Sequence, residues 1–126
     1  MSKKILIIDD DKEFCEELAE CIREEGFYVE CATDPLQGQK LILSGDYDAI
    51  ILDYKMPELS GADLLKKMRT LKVKGNVFIL SGRPFVEKVF EEEGLLDLIG
   101  GFFAKPVDMG SLLEKIRNAA SRKHDK

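Results

Sequence analysis

A small set of polar residues in this chain stands where chemistry on a phosphoryl group could be done. Asp9, Asp10 and Asp11 follow the aliphatic run 5–8, and Asp53 follows the run 49–52. Ser81 follows the run 76–80, and Lys105 follows the run 99–103. Several carboxylates at one place repel each other unless a cation joins them. Hard oxygen donors of this kind suit Mg²⁺, or Mn²⁺ in its place. A carboxylate is also a nucleophile towards phosphorus and yields an aspartyl phosphate. Such a transfer needs in-line positioning and positive charge around the equatorial oxygens. A divalent cation would supply one charge and a lysine such as Lys105 another. A hydroxyl such as that of Ser81 would donate to a third oxygen.

Each piece alone has an ordinary explanation. Asp10 could cap a first helix, with Glu13 completing a capping box. Ser81-Gly82 is a plain turn, and Lys105-Pro106 a plain strand exit. Asp53 is harder to dismiss, because it stands at the mouth of a buried run with no capping role evident.

The elements that must position these groups alternate along the whole chain. The run 5–8 is continuously aliphatic, as a strand buried on both faces should be. Further strands are expected at 28–32, 48–52, 76–80 and 99–103. Helices are expected at 13–23, 35–44, 62–71, 86–93 and 111–120 from their apolar spacing. In the first, Phe14, Leu18, Cys21 and Ile22 share that spacing, and Gly26 ends it. Asp34 before Pro35 marks the start of the second. The stretch 56–61 is turn-like, with Pro57 and Gly61 as its punctuation. Strict alternation of strand and helix implies an α/β, doubly wound parallel sheet of five strands. Ligands of such sheets gather at the carboxyl ends of the strands, where the polar residues lie.

Length and composition narrow the class. At 126 residues, 44% hydrophobic and 34% charged, the chain fits one globular domain, placed at 1–121 with a polar tail at 122–126. A net charge of −5 argues against direct binding to nucleic acid or an anionic membrane. Arg122 and Lys123 suit a helix end. No membrane-length apolar run or leader pattern is present, so a cytoplasmic setting is expected. Cys15, Cys21 and Cys31 show no paired spacing, and the one histidine is His124. Neither a disulfide framework nor a zinc site is expected, and the thiols read as small buried hydrophobes.

Taken together, the motifs KILIIDDDKEF, DAIILDYKMPELSG, FILSG and FFAKP resemble the receiver domain of two-component response regulators. The resemblance runs from Lys4 to about Ala120. It implies a CheY-like (βα)5 fold with strand order 2-1-3-4-5. It implies that Asp53 is the phosphoacceptor and that Asp9 and Asp10 hold Mg²⁺, Asp10 directly and Asp9 through water. The backbone carbonyl of Lys55 would complete the protein's share of ligands. Lys105 would pair with a phosphoryl oxygen, and Ser81 would follow the phosphoryl group. Phe102 falls at the switch aromatic, and the bond before Pro106 is expected cis.

Two departures stand out. The span from Ser81 to Lys105 is slightly long, and the extra length is assigned to a loop in 92–101 around Gly94, Gly100 and Gly101. Gly82 replaces the usual small residue after the hydroxyl. Lys55 and Arg83, each two positions past a site residue, are expected to set the phosphoryl lifetime. By resemblance, the donor would be a sensor histidine kinase or a histidine phosphotransfer protein. Output would pass through the α4-β5-α5 face to another protein or through a phosphorylation-dependent homodimer. The chain would be no enzyme beyond its own phosphorylation and dephosphorylation. The alternatives are a degenerate receiver that only binds, an aspartyl-nucleophile phosphatase, which would want an acid where Lys55 stands, and a flavodoxin-like carrier.

Overall fold

The computed structural model describes residues 3–54, 61–70 and 76–124, with helix side chains past Ala119 left aside. Five strands, β1 (Lys4–Ile8), β2 (Tyr28–Ala32), β3 (Ala49–Asp53), β4 (Val77–Ser81) and β5 (Ile99–Ala104), form one parallel sheet. Their order is β2-β1-β3-β4-β5. Five helices connect and follow them: α1 (Lys12–Arg23), α2 (Pro35–Ser44), α3 (Gly61–Thr70), α4 (Val86–Glu92) and α5 (Met109–His124). Among the described residues, no helix is long and apolar enough to cross a membrane.

Burial explains why the central strands read as continuous aliphatic runs. Every residue of β3 and β4 is buried, as are Ile5 to Ile8 of β1. Alternate side chains enter two separate cores. Leu6, Ile8, Ile50, Leu52 and Ile79 pack with residues of α2, α3 and α4. Ile5, Ile7, Ile51, Phe78 and Leu80 pack with residues of α1 and α5. A strand apolar on both faces must be covered on both, which fixes the doubly wound arrangement.

Some helix ends match the sequence reading, at Asp34, Pro35 and Gly26, and others differ from it. Asp11, not Asp10, caps α1, and its carboxylate accepts from the Phe14 N–H at 3.1 Å. Asp34 caps α2 by accepting from the Leu36 N–H at 2.9 Å, with Pro35 opening the helix. Gly26 takes a positive φ of 97° after α1, which a side chain would resist. Cys21 is exposed rather than packed inward. Helix α5 starts earlier than expected, because Asp108 accepts from the Gly110 N–H (3.1 Å) and the Ser111 hydroxyl (3.0 Å). Its backbone stays helical to His124, into the stretch read as a tail.

The extra length before Lys105 is resolved differently from the expected loop. After α4, Gly94 turns the chain with φ 71°, and a short 3-10 turn spans Leu96–Leu98. Gly100 and Gly101 then belong to β5. Val77 pairs with Ile99, but Phe78 pairs with Gly101, so one residue, Gly100, is bulged out of register. A Cβ at Gly100 would meet Phe78 Cε1 at 2.9 Å, so glycine is required where the bulge meets the buried ring. Glycine in a strand pattern marks a bulge as readily as a loop, and the expectation chose the loop. Gly100→Val should cost about 1–3 kcal/mol through overpacking. In that background Phe78→Leu should cost less than it does alone. Urea unfolding of the two single variants and the double variant checks this, and additive losses would count against the contact.

Candidate functional site at the carboxyl edge

The sheet brings the acids together at its carboxyl edge. Asp9 follows β1 and is 1% exposed, while Asp53 closes β3 and is 7% exposed. Asp10 is exposed beside them. One carboxylate oxygen from each of Asp9, Asp10 and Asp53 lies within 4.8 Å of the others. The Asp9 N–H donates to the Ala32 carbonyl at 3.0 Å, which ties it to the end of β2. Its Oδ1 accepts from the Asp11 N–H at 2.9 Å, so the turn into α1 holds the carboxylate in place.

Lys105 reaches across from the end of β5. Its Nζ lies 2.9 Å from Asp9 Oδ2 and 3.4 Å from Asp53 Oδ1. Its backbone N–H donates to the Ser81 carbonyl at 3.0 Å, continuing the β4-β5 ladder past the strand. The Lys105-Pro106 bond is cis, as the resemblance implied. The ammonium also sits 4.6 Å from the centroid of the Phe14 ring. Phe14 is thus a member of the site that the sequence reading took only as core. The signal lay in its place in the first turn of α1, which starts from the acid edge; cation attraction to an aromatic face is then available.

Burial and charge set the protonation of this cluster. Burial pushes the Asp53 carboxyl up from its ordinary 3.8 to about 6, and the nearby Asp9 charge adds to it. Lys105 works in the other direction but does not offset burial. Burial likewise opposes the Lys105 charge. The bond to Asp9 and the negative charge of both acids outweigh it and hold the ammonium above its ordinary range. Three converging carboxylates with hard oxygen donors fit a divalent cation such as Mg²⁺, and a lysine already bridging two of them shows that the acids call for positive charge.

The remaining predicted residues lie to one side. Ser81, 9% exposed, ends β4 and accepts the Arg83 N–H on its Oγ at 3.0 Å. Phe102, partly buried on β5, packs against Phe90 of α4 with centroids 5.7 Å apart. A cavity of about 300 Å³ lies between them, lined by Ile79, Ser81, Arg83, Phe85, Val86 and Phe102 among others. Lys55, Pro57 and most of the expected turn at 56–61 lie outside the described residues.

A raised carboxyl pKa makes a signed stability prediction. The folded chain holds the Asp53 proton more tightly than the unfolded chain does. Stability from this group is therefore present below pH 3.8 and is lost as pH rises through about 6. In chelator-treated protein, Asp53→Asn should stabilise the fold at pH 7 by about 1–3 kcal/mol. The gain should shrink towards pH 4. Urea unfolding across this range tests it, and a gain equal at both ends would show that the carboxyl ionises normally.

The chain is similar to known proteins in sequence and in fold. The family model for the response regulator receiver domain matches residues 5–117. The transcriptional regulatory protein CusR of Escherichia coli K12 is 31% identical over 119 residues, covering 94% of this chain and 52% of that protein. DltR of Streptococcus agalactiae is 28% identical over 115 residues, covering 90% of this chain and 50% of that protein. The chain therefore spans about half the length of these curated relatives. Among solved structures, the Francisella response regulator 1452 receiver domain matches with a TM-score of 0.87 and 30% identity, over 97% of this chain and 99% of that one. A CheY-like receiver domain from Methanospirillum hungatei JF-1 also has a TM-score of 0.87, with 27% identity over 99% and 98% of the two chains. With the ordered motifs, the 2-1-3-4-5 sheet and the acid edge in agreement, the chain belongs to the response regulator receiver domain family of two-component signalling.

Proposed function

We propose that this receiver accepts a phosphoryl group on Asp53 and passes the signal on by a change of shape. The observation that carries this reading is the Lys105 ammonium, within 3.4 Å of Asp53 and 2.9 Å of Asp9, at an edge where a third carboxylate, Asp10, converges. Asp53 is the nucleophile. Its carboxylate oxygen attacks phosphorus as the bond to the donor's histidine nitrogen breaks, and an acyl phosphate forms. Asp9, Asp10 and Asp53, with the backbone carbonyl of Lys55 as the resemblance implies, would hold Mg²⁺, which would supply positive charge to the phosphoryl oxygens. Lys105 supplies the second positive charge by leaving Asp9 for the new phosphoryl group. The donor is a sensor histidine kinase or a histidine phosphotransfer protein, in a cytoplasmic setting. The chain catalyses only its own phosphorylation and dephosphorylation.

The cavity beside Ser81 supports the switch. Ser81 turns from the Arg83 amide to the phosphoryl group, and Phe102 turns into the space lined by Ile79 and Val86. Phosphorylation selects between two packings of the same residues. The surface altered is that of α4, β5 and α5, where Phe85 is 83% exposed. This surface meets a downstream protein or a second copy of the chain. The net charge of −5 argues against its meeting nucleic acid directly.

Acetyl phosphate with Mg²⁺, followed by intact mass, tests the reaction. The wild type should gain one phosphoryl group, about 80 Da as an acyl phosphate. The gain should need Mg²⁺ and vanish in Asp53→Asn. No gain from acetyl phosphate or from a phosphorylated histidine donor would leave a receiver that signals by binding alone. Exchanging the side chains of Lys55 and Arg83 should change the phosphoryl lifetime several-fold. An unchanged decay, followed by the return of the unmodified mass, would remove both residues from that role.

A further inference from the structure

Two thiols form a pair away from the acid edge. Cys15 lies in α1 and is fully buried. Cys31 lies on β2, an edge strand of the sheet, and is partly exposed. Both face the core that α1 shares with α5. The Cys31 S–H donates to the Cys15 carbonyl oxygen at 3.6 Å, and the Cys15 Sγ lies 4.0 Å from the Ile7 carbonyl oxygen. Arg23 brings positive charge to the same edge, where its guanidinium donates to the Val29 carbonyl at 2.8 Å.

These surroundings give the two sulfurs different characters. The neighbouring Cys15 side chain pulls the Cys31 thiol down to about 7, and the charge of Arg23 helps, against the effect of burial. The Cys31 side chain, together with burial, pushes the Cys15 thiol up in turn. A thiolate is the reactive form towards oxidants, and reactivity needs access as well. Cys31 has both.

We propose that Cys31 and Cys15 form a peroxide-oxidisable pair, in which Cys31 reacts first and Cys15 closes a disulfide between α1 and β2. The Cys31 thiolate attacks one oxygen of a hydroperoxide and the O–O bond breaks. The other oxygen leaves with the electron pair and takes up a proton, so the peroxide is reduced to water or an alcohol. Cys31 is oxidised to a sulfenic acid. The Cys15 sulfur then attacks the sulfenic sulfur. The S–S bond forms, and the hydroxyl leaves with the Cys15 proton as water. The bridge would lie one residue from Ala32, whose carbonyl holds the Asp9 N–H at 3.0 Å. The pair stands independently of the phosphoacceptor reading.

The test uses the full chain carrying Cys21→Ser, which removes the exposed third thiol. The protein is treated with hydrogen peroxide, its remaining thiols are alkylated in denaturant, and intact mass and a non-reducing peptide map are recorded. The expected result is loss of two hydrogen atoms, no alkylation, and a linked pair of peptides holding Cys15 and Cys31. Dithiothreitol should restore both alkylation sites. Cys31→Ser should abolish the bridge, and in Cys15→Ala the oxidation of Cys31 should stop at a sulfenic acid trapped by dimedone. Full alkylation of both thiols after peroxide would overturn the proposal. So would oxygen addition at Cys31 with no linked peptides. Should Cys15→Ala fail to fold, Cys31→Ser, at a partly exposed position, still decides the outcome.

Discussion

Charge compensation at the carboxyl edge is the constraint around which this molecule is arranged. Two acids stand nearly out of solvent, a third joins them, and one lysine bridges the buried two. Such a group is costly to bury and is tolerated only with close opposite charge. Lys105 supplies it from the far side of the sheet, more than ninety positions along the chain from Asp9. A cation at the acids would compete with Lys105 for the same negative charge.

The fold serves that arrangement by rigidity. The three central strands carry Asp9, Asp53 and Ser81 on or just past their ends, and their aliphatic residues are locked between two cores. Side chains on such a base lose little freedom when a ligand arrives, which favours preorganised electrostatics. Beyond Ser81 the packing loosens. A cavity opens beside the Phe102 ring, and Phe85 stands in solvent in a left-handed conformation before the short α4. The close-packed strand ends and the cavity therefore meet at Ser81.

The sequence made the sheet and its acid edge legible because both follow from local pattern. Runs such as 49–52 are short, aliphatic and ended by a charge, and no helix period competes with them. The β4-β5 region was harder to read. Gly100 and Gly101 looked like a loop, because a bulge is defined by its partner strand, which a linear pattern does not display. Asp10 and Asp11 are both good caps, and the choice between them depended on where Asp9 is held. Phe14 joined the site only through an approach across the fold by Lys105. Inward placement of Cys21 failed because apolar spacing does not tell the rim of a helix face from its centre.

The bulge at Gly100 also bears on how the domain can vary over generations. Side chains alternate faces along a strand, so a one-residue insertion ordinarily reverses everything beyond it. Here the extra residue is taken up beside Phe78, and pairing resumes from Gly101 to Ala104 in step with β4. Length changes upstream, between α4 and β5, are thereby uncoupled from the phase of Phe102 and Lys105. The connection can lengthen or shorten as its outer surface diverges, while the lysine end of the strand inherits an unchanged alignment.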